Sequence, residues 1–251
     1  MPPDPDPQQL LAVFRQVAAA IGRALAGLDD WGLAGTRPGQ YRSDLIADEA
    51  AVGLLGQAGL GVLSEESGLH HPDRAVLVAL DPVDGSTNAS RGLPWWATSL
   101  CALDHNGPLA AVVVNQATGT IFEAIRGDGA WRDGAPITPS GATVLGESLV
   151  ALSGLPDRHL GWRQFRALGA AALDLCEVAS GGLDGYIDCS IDAHGPWDYL
   201  GGLLVCQEAG ARVADAGGRD LVVRGHADRR TPVAGATGAL FNELMAARNN
   251  Q

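Results

Sequence analysis

The stretch ALDPVDGSTNASRG, Ala79 to Gly92, closes an apolar run with Asp81 and Asp84, three residues apart, and follows them with Gly85, Ser86, Thr87 and Asn88. AVLVALDP reads as a short strand running into a polar loop, and GVLSEESG upstream has the same form. Asp81 would then lie just past the end of its strand. Pro82 and Gly85 are expected to bend the chain sharply, with a helix beginning at GSTN. A turn of this composition is ordinary, but it does not explain two carboxylates with no lysine or histidine beside them.

On the N-terminal side, QQLLAVFRQVAAAIGRALAG (8–27) sets Leu11, Phe14, Val17, Ile21 and Leu25 three and four residues apart, which predicts an amphipathic helix, and a second helix is expected over 44–57. On the C-terminal side, WWATSLCAL, LAAVVVNQ and GTIFEAIRGDGAW over 95–125 read as an antiparallel meander, with a hairpin turn at Asp133-Gly134. After residue 140 strands and helices alternate. Strands are expected at ESLVALSG, GLDGYIDCS, ARVADA and TPVAGAT, and helices near 160–168, at 171–180, at 197–209 and at 238–248. The fold class is α/β in the layered α+β sense. An N-terminal half (1–140) and a C-terminal α/β half (141–251) are expected to pack as one compact unit.

Composition narrows the function. A formal charge of −12 opposes binding to nucleic acid and to anionic membranes, so neither is expected as a partner. No 20–50-residue period repeats, which excludes solenoids and propellers. Cys101, Cys176, Cys189 and Cys206 contain no CxxC pair and sit among apolar residues, as buried reduced thiols do. The opening MPPDPDPQQLLAVFRQ carries aspartates where a secretory leader carries positive charge, and no apolar run is long enough to span a membrane, so a cytoplasmic location is expected.

Four acidic clusters lie at element boundaries: Asp44 and Asp48 in SDLIADEA, Glu65 and Glu66 in LSEESG, Asp81 and Asp84, and Asp198 in GPWDYLGG. Singly, a turn, a solvated loop or a helix cap accounts for each. Together, several carboxylates without matching cations would raise one another's pKa unless metal ions held them. Oxygen ligands without histidine or thiolate suit Mg²⁺, and backbone N–H groups at GSTN suit a phosphate. The combination points to metal-assisted phosphoryl transfer.

These residues resemble the inositol monophosphatase family of Mg²⁺-dependent sugar-phosphate phosphatases. DPVDGSTN is similar to its DPxDGTxN signature, SEES to its GEE element, and PWDYLGGLLVCQEAGARVAD to its WDxAA…EAGG signature, in order and at fitting spacing. The resemblance implies an alternating α-β-α-β-α sandwich and a homodimer. It makes Glu65, Asp81, Asp84 and Asp198 the carboxylates that hold two or three Mg²⁺ ions, with the Val83 carbonyl as a further ligand and Glu66 in support. Asp48 with Ser86 would orient the attacking water beside Glu65, and Gly85, Ser86 and Thr87 would bind phosphate. Gly169, Ala170, Ala171 and Asp188, together with Asp84 and Asp198, would line the substrate pocket. Three departures matter: Ser86 stands for the usual threonine, Leu45 for the threonine before Asp48, and CSIDAHGPW is longer than typical. Asp44 is therefore a candidate to share the role of Asp48, and Asp192 and His194 are expected near substrate.

The expected activity is hydrolysis of a small phosphorylated polyol or sugar by metal-activated water. Fructose 1,6-bisphosphate, histidinol phosphate and nucleotide 3′-phosphates are alternative substrates on the same scaffold. A catalytically silent metal- and phosphate-binding protein would show a broken ligand set, and a paired-carboxylate glycosidase would need no metal. His70 and His71, and Arg229 with Arg230, are expected on the solvated surface, and Trp95 and Trp96 in packing.

Overall fold

The computed structural model describes residues 6–250; residues 1–5, on which part of the leader reading rests, lie outside the described residues. Helix α1 (Pro7–Ala26) is started by Asp6, whose carboxylate accepts from the Gln8 N–H at 2.9 Å, and by Pro7, whose fixed φ suits a first turn. All five of its expected apolar positions are buried. Helix α2 (Arg42–Gln57) follows, then β1 (Gly61–Ser64), β2 (Gly68–His70) and β3 (Leu77–Asp84), a five-residue helix α3 (Ser86–Ser90), and β4 (Ala97–Asp104), β5 (Gly107–Asn115), β6 (Ile121–Ile125), β7 (Gly129–Arg132) and β8 (Ala135–Pro136). These strands form one sheet in the order β2-β1-β3-β4-β5-β6-β7-β8, antiparallel except where β1 runs parallel to β3. The β7–β8 turn is made by Asp133 (φ 51°) and Gly134 (φ 78°), both left-handed as a tight hairpin requires.

The C-terminal half contains β9 (Leu149–Ser153), β10 (Gln164–Arg166), helix α4 (Ala171–Ala179), β11 (Gly185–Asp188), helix α5 (Pro196–Ala209), β12 (Arg212–Asp215), β13 (Pro232–Gly235) and helix α6 (Gly238–Asn249). Its sheet runs β10-β9-β11-β13-β12. Helices α1 and α2 cover one face of the large sheet, α4 and α5 lie between the two sheets, and α6 covers the far face of the small one. The result is the layered α-β-α-β-α sandwich. Strands β3, β4 and β5 are buried along their whole length because helices cover both faces, which is why they read as continuous apolar runs.

Three local expectations are corrected. Residues 164–166 form edge strand β10, parallel to β9, in place of the helix near 160–168. Leu160 and Trp162 are buried at a spacing of two with Gly161 between them at φ 107°, a conformation no helix accepts. The stretch Asp81–Asp84 is not a turn after β3 but its end: the strand continues through Pro82 with a bulge between Asp81 and Asp84, and only Gly85 turns the chain. Trp95 and Trp96 precede β4 rather than start it.

The packing of α5 on α4 is close enough to be tested. A Cβ on Gly202 would lie 2.6 Å from Leu175 Cβ and 3.1 Å from the Ala172 carbonyl. Overpacking costs about 1–3 kcal/mol and outweighs the gain of about 1 kcal/mol in helix propensity. Gly202→Ala is expected to lower the urea midpoint by the equivalent of about 1–2 kcal/mol.

Candidate active site and metal centre

The parallel pairing of β1 and β3 brings the two central segments together. Ser64 aligns with Leu80, and the ladder continues one step as the Glu65 N–H donates to the Leu80 carbonyl at 3.1 Å, which sets Glu65 beside Asp81. Asp198 arrives from the first turn of α5, where one of its oxygens, Oδ2, accepts from the Gly195 N–H at 2.8 Å. Glu65, Asp81 and Asp198 each offer a carboxylate oxygen, all within 4.8 Å of one another. In the bulge, Asp81 Oδ1 accepts from the Val83 N–H at 2.9 Å, and Thr98 Oγ1 donates to the Pro82 carbonyl at 2.9 Å. Asp84 is turned toward α4, its Oδ2 accepting from the Ala172 N–H at 2.8 Å.

Gly85 at φ 89° is the sharp point of the motif, and it is boxed in. A Cβ there would meet the Gly169 carbonyl at 3.0 Å and the Trp95 carbonyl at 3.1 Å. Asn88 pins the same two segments, its Nδ2 donating at 2.7 Å to both the Trp95 and the Leu168 carbonyls. Ala170 and Ala171 are buried beneath this contact, while Gly169 is exposed. Within α3 the first N–H to bond inside the turn is that of Ala89, to the Gly85 carbonyl, so the N–H groups before it are left to an outside partner.

A pocket of about 280 Å³ opens over this cluster, lined by Asp44, Glu65, Glu66, Ser86 and Trp197, with Arg37, His226 and Arg229 among its other walls. Asp44 accepts from the Tyr41 N–H at 2.8 Å and from Ser43 Oγ at 3.2 Å. Asp48 is bonded instead to Ser64 Oγ and is absent from the pocket lining. The two aspartates are four residues apart on one face of α2, and the structure brings the first to the pocket and the second under β1. Glu66 is held by Arg37 at 2.5 Å and by Gln40.

The electrostatics fit a cluster built for cations. Burial and mutual repulsion push the carboxyls of Glu65 and Asp81 well above the usual range. Burial, then Asp198, pushes Asp84 up to about 7, and burial pushes Asp44 up to about 6. Burial pulls His194 down, but Asp198, Asp188 and Asp84 outweigh it and raise the imidazole to about 9.

None of the expected substrate contacts Asp84, Gly169, Ala170, Ala171, Asp188, Asp192, His194 and Asp198 is among the residues that line this pocket. Asp188 is fully buried, its Oδ1 accepting from the Ser190 N–H at 2.9 Å. Asp192 points away and pairs with Arg219 at 2.6 Å. Conversely, Arg229 is no solvated turn. Its guanidinium lies 5.1 Å from the centre of the Trp197 ring, and His226 stacks on the same ring at 4.8 Å while its Nε2 lies 3.2 Å from the Glu65 carbonyl. Arg37, His226 and Arg229 carry no signal in the sequence: Arg37 comes from the segment before α2, and His226 and Arg229 from the loop between β12 and β13, far along the chain from the other pocket residues. The chain contains no lysine, so the guanidinium groups of Arg37 and Arg229 are the charged donors on the pocket wall.

The chain matches known proteins over most of its length. A profile of the inositol monophosphatase family matches residues 58–251. The fructose-1,6-bisphosphatase/inositol-1-monophosphatase of Archaeoglobus fulgidus is 31% identical over 231 residues, covering 86% of this chain and 88% of that one. The inositol-1-monophosphatase of Mesorhizobium japonicum is 32% identical over 246 residues, covering 86% and 89%. The solved structure of inositol monophosphatase from Anabaena superposes with a TM-score of 0.79 at 26% identity, over 96% of this chain and 95% of that one.

Proposed function

The chain belongs to the inositol monophosphatase family and is a phosphoric monoester hydrolase of sugar phosphates, and from that premise we propose a Mg²⁺-dependent hydrolysis of a small phosphorylated polyol or sugar. The observation that carries this reading is the convergence of Glu65, Asp81 and Asp198, from three distant segments, within 4.8 Å. Carboxylates so close, with the pKa values of Glu65 and Asp81 raised and oxygen donors only, fit a hard divalent cation. Of the two or three Mg²⁺ ions proposed, Glu65, Asp81 and the Val83 carbonyl would hold one, and Asp81, Asp84 and Asp198 a second. When bound, such ions lower the pKa of water and stabilise charge on phosphoryl and leaving oxygens.

The chain's own residues do the rest. Asp44 and Ser86 orient the attacking water from the pocket wall, a role that passes from Asp48 to Asp44 because only Asp44 lines the pocket. The N–H groups of Gly85, Ser86 and Thr87 hold the phosphate, with Thr87 steadied by Tyr41 at 3.1 Å. Gly169, Ala170 and Ala171 form the wall behind it, and Glu66, clamped by Arg37, supports Glu65. The halves 1–140 and 141–251 act as one unit on this reading, since α4 and α5 pack on both sheets. The same reading has a homodimer in a reducing cytoplasm, in keeping with four buried cysteines. No described helix is long and apolar enough to cross a membrane.

A second reading, a bisphosphate substrate such as fructose 1,6-bisphosphate, is favoured by the two guanidinium groups of Arg37 and Arg229 on one pocket. Phosphate release from inositol 1-phosphate, fructose 1,6-bisphosphate, histidinol phosphate and a nucleotide 3′-phosphate separates the substrates. Release from at least one, with Mg²⁺ and not with excess chelator, is expected; release that survives the chelator, or none from the panel, overturns the reading. The water-orienting role is tested by substitution. Asp44→Asn is expected to lower kcat by about 10²-fold, in the range for loss of general acid–base help, while Asp48→Asn stays within about tenfold of the parent.

A further inference from the structure

The segment between Asp188 and Asp198 joins β11 to α5 and carries His194. A two-way backbone bridge between His194 and Arg230, with N···O distances of 3.3 and 2.9 Å, fixes the strand of chain that carries His194. The His194 side chain is 14% exposed. Its Nδ1 lies 3.2 Å from Asp198 Oδ2, the oxygen that also accepts from the Gly195 N–H. Its Nε2 lies 3.0 Å from the Tyr186 hydroxyl and 3.1 Å from Ser153 Oγ. Behind the ring, 3.8 Å from Nε2, is Asp188 Oδ2, a buried oxygen with no hydrogen bond among the described residues.

We infer that His194 is a positioning residue for Asp198: it holds one oxygen of that carboxylate from behind, leaving the other to join Glu65 and Asp81, and anchors it through the ring to the buried Asp188 end. Both ring nitrogens are taken by protein atoms, which leaves no polar edge of the ring for substrate. Partners that orient a ligating carboxylate in this way are commonly worth 10–100-fold in metal affinity.

The inference rests on Asp198 being a metal ligand, and the test separates the two. Mg²⁺ is titrated calorimetrically into the chelator-stripped full chain without substrate, for the parent, His194→Ala, His194→Asn and His194→Gln, with melting curves in chelator to verify folding. His194→Ala is expected to bind Mg²⁺ 10–100-fold more weakly. His194→Asn, whose amide nitrogen reaches the place of Nδ1, is expected to return to within a few-fold of the parent, and His194→Gln, whose amide lies one carbon further out, is not. Parent-like affinity in His194→Ala overturns the role, as does equal weakening in the folded Asn and Gln variants, which carry the test if the Ala variant does not fold. Unchanged Mg²⁺ affinity with a raised KM for the phosphate ester would make His194 a substrate contact and also overturn it. If the parent itself takes up no Mg²⁺, the metal reading falls, and this inference with it.

Discussion

Asp81→Asn is expected to lower turnover of any phosphate ester by about 10³-fold or more at saturating Mg²⁺, and at the same time to raise the melting temperature of the metal-free chain. The first effect follows from position. Asp81 is 2% exposed at the centre of the cluster and is shared by both proposed metal positions, and metal stabilisation of transition-state charge is worth several kcal/mol, or roughly three powers of ten in rate. The second follows from charge. Asparagine has the same volume and retains an oxygen to accept from the Val83 N–H, so the bulge survives, but one of four mutually repelling carboxylates is gone. Rate assays and melting curves in chelator read the two effects independently. Mg²⁺-dependent turnover within tenfold of the parent would show that Asp81 is not the central ligand.

Stripped of metal, the protein is expected to be more stable at pH 5.5 than at pH 8, against the usual trend for a protein with ion-paired acids. Asp84 moves from 3.8 to about 7 and Asp44 to about 6, and Glu65 and Asp81 move in the same direction. An acid whose pKa is raised in the folded state binds its proton more tightly there than in the unfolded chain. Stability therefore grows as pH falls from about 8 to about 5, between the folded and unfolded values. Asp104 beside Arg126 and Asp215 beside Arg219 are shifted down; their contribution is present above about pH 4 and is lost only on further acidification, so it does not oppose the trend in this window. A net effect of about 2–3 kcal/mol corresponds to roughly 5–10 °C in a chain of this size. Excess Mg²⁺ competes with those protons and is expected to raise the melting temperature more at pH 8 than at pH 5.5. Scanning calorimetry at the two pH values, with and without chelator, is the measurement. A stripped chain at least as stable at pH 8 as at pH 5.5 would remove the electrostatic case for the cluster.

What could be read from the sequence divides along physical lines. Helix α1 is legible because its buried positions recur with the helical period, and the acidic motifs are legible because each joins an apolar strand or helix to a polar end. The strand β10 is not, because the residues around Gly161 have helix-compatible composition and only the local dihedral and the pairing with β9 decide against a helix. Asp44 and Asp48 illustrate a different limit. Four residues apart on α2, they share a face, and one helical turn separates a pocket wall from a hydrogen bond under β1. The burial of Asp188 is hidden for a similar reason, since its place beside a pocket motif says nothing about which side of the strand faces inward. Arg229 is the opposite case: two adjacent arginines in a polar segment look like solvated surface until α5 delivers Trp197 beneath one of them.

The all-arginine character of the pocket's positive wall has a chemical consequence. Arg37 and Arg229 present planar guanidinium forks, which can meet two oxygens of one phosphate at once where an ammonium group offers only a point charge. With no lysine anywhere in the chain, no side-chain amine is available for imine formation, acylation or enzymatic acetylation. Aldehyde-bearing phosphate analogues, which trap a lysine where one lines a phosphate site, can bind here only reversibly, and amine-directed labels leave the pocket chemically untouched.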